Sequence, residues 1–158
     1  MTLRKSITAA LLLACFISAG HAQFLEKKTV SLALAKKIAA VAEAEAAKNS
    51  WTVAISIVDD GGNQVYFAKM DNTQNGSIDV AYQKARSAIM FKRPTKTFEE
   101  MVTGGRAAIL GLPGAVPLEG GHPIVVEGQY IGAIGVSGAK STEDGIVARA
   151  GAEAVGKP

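Results

Sequence analysis

Gly120-Gly121-His122-Pro123-Ile124-Val125-Val126-Glu127-Gly128-Gln129-Tyr130-Ile131-Gly132-Ala133-Ile134-Gly135-Val136-Ser137-Gly138-Ala139 reads as two apolar β-strands joined by a tight turn at Glu127-Gly128. Glycine weakens a strand interior, having no side chain to pack and much backbone freedom to lose. Gly132, Gly135 and Gly138 along one strand therefore predict that something approaches the main chain closely there. His122 stands at the mouth of this hairpin, so imidazole chemistry, if any, belongs there.

Outward from the hairpin, helical and strand patterns alternate. Ser31 to Lys48 is alanine-rich with an apolar stripe of Leu34, Ala35, Ile38 and Ala42, Ser31 serving as N-cap and Asn49 as the stop. Trp51 to Val58 is a β-branched strand, Asp59-Asp60-Gly61-Gly62-Asn63 a turn, and Gln64 to Met70 the returning strand. Ser77 to about Phe91 is a second helix with Ile78, Ala81, Ala85, Ala88 and Ile89 turned inward. It ends before Arg93-Pro94, because proline disfavours the helical conformation at the residue ahead of it. Thr97 with Glu100 reads as a capping box opening a short helix that ends at Gly104-Gly105. Ile109 to Leu112 reads as extended or turn, Ala115 to Leu118 as a short strand. Ser141 and Asp144 cap a last helix to about Val155. The order predicts an α+β domain: a five-stranded antiparallel sheet covered by helices.

The first 22 residues read as a leader. Arg4 and Lys5 precede an apolar run from Ile7 to Ala19, and Gly20-His21-Ala22 supplies small residues for cleavage before Gln23. The run is too short for a permanent bilayer span, so the mature chain is expected to have no transmembrane segment. A periplasmic or secreted location follows; the alternative is a lipoprotein acylated on Cys15 within Leu12-Leu13-Ala14-Cys15. Residues 23–158 then form a single domain. Removing Arg4 and Lys5 takes the basic residues from 17 to 15 against 14 acidic ones, a net charge near +1, and the scarcity of aromatic residues argues against nucleic acid as partner. The mature chain has no cysteine, which excludes thiolate zinc sites, iron–sulfur clusters and thiol catalysis, and His122 is its only histidine.

Other motifs yield less. Gly132-Ala133-Ile134-Gly135-Val136-Ser137-Gly138 does not space its glycines as a dinucleotide loop does, and Gly135-Val136-Ser137-Gly138-Ala139 lacks the last glycine of a nucleophile elbow. Asp59-Asp60 and Glu99-Glu100 read as solvated carboxylates. His122 has two readings: a solvated loop histidine, or a ligand to a metal or haem iron. Gly120-Gly121 leaves room beside it for a flat group, while Tyr66, Tyr82, Tyr130, Met70, Met90 and Met101 are other conceivable iron ligands. Lys92, Arg93 and Lys96 either complement a helix dipole or clamp carboxylates, Arg93 being best suited by its bidentate fork. No residue is singled out as catalytic.

Several blocks in order resemble the GlcG/HbpS haem-binding family: Val58-Asp59-Asp60-Gly61-Gly62, Ala68-Lys69-Met70-Asp71, Ser77-Ile78-Asp79-Val80-Ala81 with Lys84-Ala85-Arg86, Arg93-Pro94-Thr95, Gly120-Gly121 with Pro123-Ile124, and Gly132 to Gly138. The resemblance covers about Ser31 to Glu153. It implies a profilin-like α/β/α sandwich, a homo-oligomer, and haem as the bound group, with haem degradation in part of the family. Members often carry an aliphatic residue where this chain has His122, so that position is a feature of this chain. The expectation is an exported haem-binding protein with His122 as axial ligand, Arg93 near the propionates and Gly120-Gly121 beside the ring. The alternative is an oligomeric module binding a small organic acid, whose haem affinity is incidental.

Overall fold

The computed structural model describes residues 25–155. The expected leader over residues 1–22, with Cys15 and the cleavage point at Ala22, lies outside the described residues. Helix α1 (Leu32–Lys48) is followed by strands β1 (Ala54–Asp59) and β2 (Gln64–Lys69), helices α2 (Ser77–Met90) and α3 (Lys96–Thr103), and a 3-10 turn at Ala107–Gly111. Strands β3 (Gly121–Val126) and β4 (Gln129–Ser137) and helix α4 (Ser141–Ala152) complete the domain. Among the described residues the strands form one antiparallel sheet in the order β2-β1-β4-β3.

The sheet is sandwiched between helices, and strand alternation decides which residue faces which layer. Ile55, Ile57, Ile124, Ile134 and Val136 pack with Ala35, Ile38 and Ala42 of α1 and Val147 and Ala148 of α4. Val58 and Ala133 point the other way, toward Ala85, Ala88 and Ile89 of α2. The hairpin turn is as expected: Glu127 and Gly128 both have positive φ (50° and 75°), the pair a two-residue type I′ turn requires. Ser31 caps α1 through its Oγ, which accepts from the Leu34 N–H at 3.2 Å.

Four expectations need correction. The sheet has four strands, not five: residues 115–118 form no ladder. Pro117 has no N–H to donate, and neighbouring side chains take two of the groups that remain. The Val116 N–H donates to Ser87 Oγ (3.1 Å), the Leu118 carbonyl accepts from Thr95 Oγ1 (2.6 Å), and the Glu119 N–H donates to a Glu99 carboxylate oxygen (2.5 Å). The turn read at 109–112 is present as 3-10 helix, but Ser141 does not cap α4: Lys140 is the N-cap, and the Ser141 hydroxyl donates to a Glu99 carboxylate oxygen at 3.3 Å. The capping box on Thr97 and Glu100 does not form either; α3 begins at Lys96, with Thr95 and Glu99 engaged across the loop to β3. Finally, Ile78 is 37% exposed rather than turned inward.

The strand glycines receive a different explanation from the one expected. A Cβ on Gly135 would lie 2.0 Å from the Ala81 carbonyl oxygen and 2.4 Å from the Ala85 nitrogen, so α2 rests directly on β4. On Gly138 it would meet the Thr52 carbonyl oxygen at 2.3 Å, and on Gly132 the Val58 carbonyl oxygen at 2.3 Å and Val30 Cγ1 at 3.1 Å. Close approach is real at all three, but the approaching groups are the chain's own. The face of β4 is therefore sealed, and it offers no bed for a planar guest.

Candidate functional site

His122 lies on β3, a sheet edge, with its side chain on the face shared by Ile124 and Ile134, beside α4. Pro123 is the next residue, and His122 Nδ1 is 3.0 Å from the Pro123 carbonyl oxygen. A carbonyl can only accept, so Nδ1 carries the proton in that bond and Nε2 of the neutral ring keeps its lone pair. The half-buried imidazole stands between two hollows. The first, of about 250 Å³, is bounded by Pro94, Lys96, Glu119, Gly120-Gly121 and Arg149. The second, about 450 Å³ and more open, is bounded by Pro123, Val125, Ala152 and Val155, with Glu153 as its one charged residue.

Gly120 and Gly121 wall the first hollow because a side chain there has nowhere to go. A Cβ on Gly121 would meet the Lys84 carbonyl oxygen at 2.3 Å and Thr95 Cγ2 at 2.6 Å; Gly120 has φ +130°. Thr95, fully buried, fixes this corner: its hydroxyl donates to the Leu118 carbonyl oxygen and accepts from the Gly121 N–H at 2.9 Å. Behind Gly120 sits an ion pair that sequence patterning did not single out. Lys84 Nζ donates to Asp144 Oδ2 (2.8 Å) and to the Val136 carbonyl oxygen (3.0 Å), and both side chains are nearly inaccessible. Asp144 Oδ1 accepts from the Ala139 N–H (3.0 Å), so the pair ties α2, β4 and α4 together. Desolvation pushes the Asp144 carboxyl above its ordinary value, with the Lys84 ammonium opposing that rise.

The structure does not bring Arg93 to this place. Its guanidinium lies over the Phe98 ring, 5.7 Å from the centroid, and its Nε donates to the Phe91 carbonyl oxygen at 3.1 Å. Lys96 and Arg149 take the position expected of it. Lys96 is already paired with Glu119 (3.2 Å), whereas Arg149 has no carboxylate partner among the described residues. Nothing in the sequence pattern singles out Arg149; its proximity to His122 arises from the packing of α4 beside β3.

Asp59 and Asp60 are engaged locally. Asp59 Oδ1 accepts from the N–H groups of Gly61 (2.9 Å) and Asn63 (2.8 Å), holding the β1–β2 turn; Asp60 is near Lys27 at 3.8 Å. No group of three or more His, Cys, Asp or Glu side chains among the described residues is arranged to hold a metal ion. The site thus offers one imidazole nitrogen, one unpaired guanidinium and an adjoining apolar hollow, but no second protein ligand.

A three-layer α+β domain with a single histidine on its sheet edge is the class that fold and site define. Residues 30–153 match the model of the family described as haem degrading protein HbpS-like, and the chain belongs to that family. Protein GlcG of Escherichia coli K12 is 43% identical over 111 residues, spanning 70% of this chain and 83% of that relative. The fold is similar to a double mutant of HbpS from Streptomyces reticuli, with 29% identity, TM-score 0.79, and 89% and 96% of the two chains covered. It is also similar to PduOC in a complex with haem, at TM-score 0.73 over 81% and 96% of the chains; at 23% identity that likeness concerns the fold alone.

Proposed function

We propose that this protein binds haem with His122 Nε2 as the ligand to iron. The hydrogen bond from Nδ1 to the Pro123 carbonyl carries this reading. Metal-binding histidines characteristically donate their other ring N–H to a carbonyl or carboxylate, which fixes the tautomer and the ring plane and raises the basicity of the ligating nitrogen. Here that arrangement is built in by the neighbouring residue. The hollows beside it divide by chemistry in the way an amphiphilic flat molecule needs: mainly aliphatic side chains with Glu153 at one side, and Arg149 with the Lys96–Glu119 pair at the other. Membership of a family described as haem degrading adds support.

Haem, when bound, supplies the iron chemistry of the complex. The chain supplies the ligating nitrogen, a guanidinium for a carboxylate, and an apolar wall that limits water. Whether storage, sensing or degradation is served, the protein's own part is the same: to hold the ring. Export through the 1–22 leader and assembly into homo-oligomers complete the proposal; mass spectrometry of the mature N-terminus and light scattering test them. A mature chain that begins at an acylated Cys15 overturns the soluble form.

The test of the central claim is haem titration followed at the Soret band. His122→Ala is expected to shift the band and weaken affinity at least tenfold, while an unchanged band and affinity remove His122 from the site. The second reading, a small organic acid in the 250 Å³ hollow, is favoured by the unpaired Arg149 guanidinium. Malonate raising the melting temperature of the wild type but not of Arg149→Ala, with no tight haem binding, is the outcome that selects it.

A further inference from the structure

A hollow of about 390 Å³ lies where residues 25–28 run beside the β1–β2 and β3–β4 turns. Two ion pairs strap that segment down: Lys27 to Asp60 at 3.8 Å, and Lys28 to Glu127. The Val30 N–H donates to the Ile131 carbonyl oxygen at 2.9 Å and anchors its far end. The hollow is lined by the buried Ile89, by Leu25, which is 81% exposed, and by Tyr130, which is 36% exposed and whose hydroxyl has no hydrogen-bond partner among the described residues.

Lys92 is the unusual residue here. It follows the C-cap of α2 with φ +52°. Its N–H donates to the Ile89 carbonyl oxygen (3.2 Å) and the Arg93 N–H to the Ala88 carbonyl oxygen (3.1 Å). That is the Schellman ending, whose left-handed residue is ordinarily glycine because a Cβ is strained there. Lysine occupies it instead and extends its ammonium over the Tyr130 ring, 5.7 Å from the centroid. Lys27 and Lys28 are neutralised by their partners, and Lys92 has no carboxylate partner among the described residues. Glu26, also on the rim, has no cationic partner among the described residues and disfavours ligands of high negative charge.

We infer that this hollow is a second small-molecule site, for a monoanion with a flat apolar body, the class of the aromatic carboxylates. Lys92 Nζ binds the carboxylate, the Tyr130 hydroxyl donates to it, and the exposed Leu25 side chain folds over the ring. Lys92 carries the one ammonium on this rim that no carboxylate engages among the described residues, enough to hold a single carboxylate beside Glu26 but not several, and a residue in a strained backbone conformation is a reason to look for a role in binding. The site is separate from the His122 hollows and shares no lining residue with them.

Lys92→Gly separates binding from folding, since glycine suits the left-handed position better than lysine does. Benzoate and its uncharged counterpart benzamide are titrated against the full mature protein by saturation-transfer NMR, alongside thermal melts. The wild type is expected to bind benzoate saturably and benzamide at least tenfold more weakly. Lys92→Gly is expected to melt at or above the wild-type temperature, to lose at least tenfold in benzoate affinity, and to leave the haem titration unchanged. Absence of saturable benzoate binding to the wild type overturns the inference. So does full benzoate affinity in Lys92→Gly, equal affinity for benzamide, or a lowered melting temperature, which makes Lys92 a structural residue.

Discussion

Replacing Lys84 by Met isolates the energetics of the buried pair behind the His122 corner. Lys84 and Asp144 have side-chain exposures of 2% and 3%, so removing the ammonium leaves a carboxylate stranded in an apolar interior. Breaking such a pair costs about 3–5 kcal/mol, a large part of the roughly 5–15 kcal/mol that holds a domain of this size together. Asp144→Asn in the same chain removes the charge yet keeps an oxygen to accept from Ala139. The double variant is therefore expected to recover about 2 kcal/mol or more of what Lys84→Met loses. Urea unfolding of the four proteins of the cycle at neutral pH measures this. A second arm uses acid. An acid whose folded-state pKa is raised contributes most to stability when protonated, and that contribution is lost as pH rises from the ordinary value of 3.8 through the raised one. Without Lys84 the rise is larger, so the deficit of Lys84→Met against wild type should shrink toward pH 4. A deficit below about 1 kcal/mol, or single costs that simply add, would refute the argument that burial makes this pair interdependent.

Three further outcomes follow from the same geometry. Gly135→Ala should destabilise by about 3 kcal/mol or more, because its Cβ would strike backbone atoms of α2, whereas Gly111→Ala, with open space around it, should stay within about 0.5 kcal/mol; denaturant midpoints check both. Thr95→Val should cost about 2–3 kcal/mol by orphaning the Gly121 N–H and the Leu118 carbonyl, and should weaken haem binding through displacement of His122, read from melts and Soret titration together. Burial tends to raise the Asp59 carboxyl, but hydrogen bonds from Asn63, Gly61 and Gly62 outweigh it and hold the group below 3.8, so its contribution is present above that value and lost as pH falls through the lowered one. Asp59→Asn should accordingly lower stability at neutral pH and flatten the acid limb below pH 3.8, measured as melting temperature against pH.

The elements with local determinants could be read from the sequence: the Glu127-Gly128 turn needs two residues of positive φ, α1 has both its stripe and its Ser31 cap, and α2 stops ahead of Pro94. Element by element, the failures were non-local. Residues 115–118 have strand-like composition, but two of their backbone groups are claimed by Ser87 of α2 and by Thr95 at the N-cap of α3. Gly132, Gly135 and Gly138 announced close approach without revealing what approaches. Lys84 and Asp144 lie sixty residues apart, and nothing in either local pattern marks them as partners. Arg93 and Arg149 illustrate the same limit at the site: the first has a sequence neighbour in Phe98 to lie upon, while the second reaches His122 only through the docking of a helix on the sheet edge.

Because α2 lies directly on the Gly135 backbone, main chain meets main chain there, with no side chain between helix and strand to yield. The spacing of those two layers is therefore set by backbone contact alone, and any residue larger than glycine at this crossing has to push a whole helix aside rather than one rotamer.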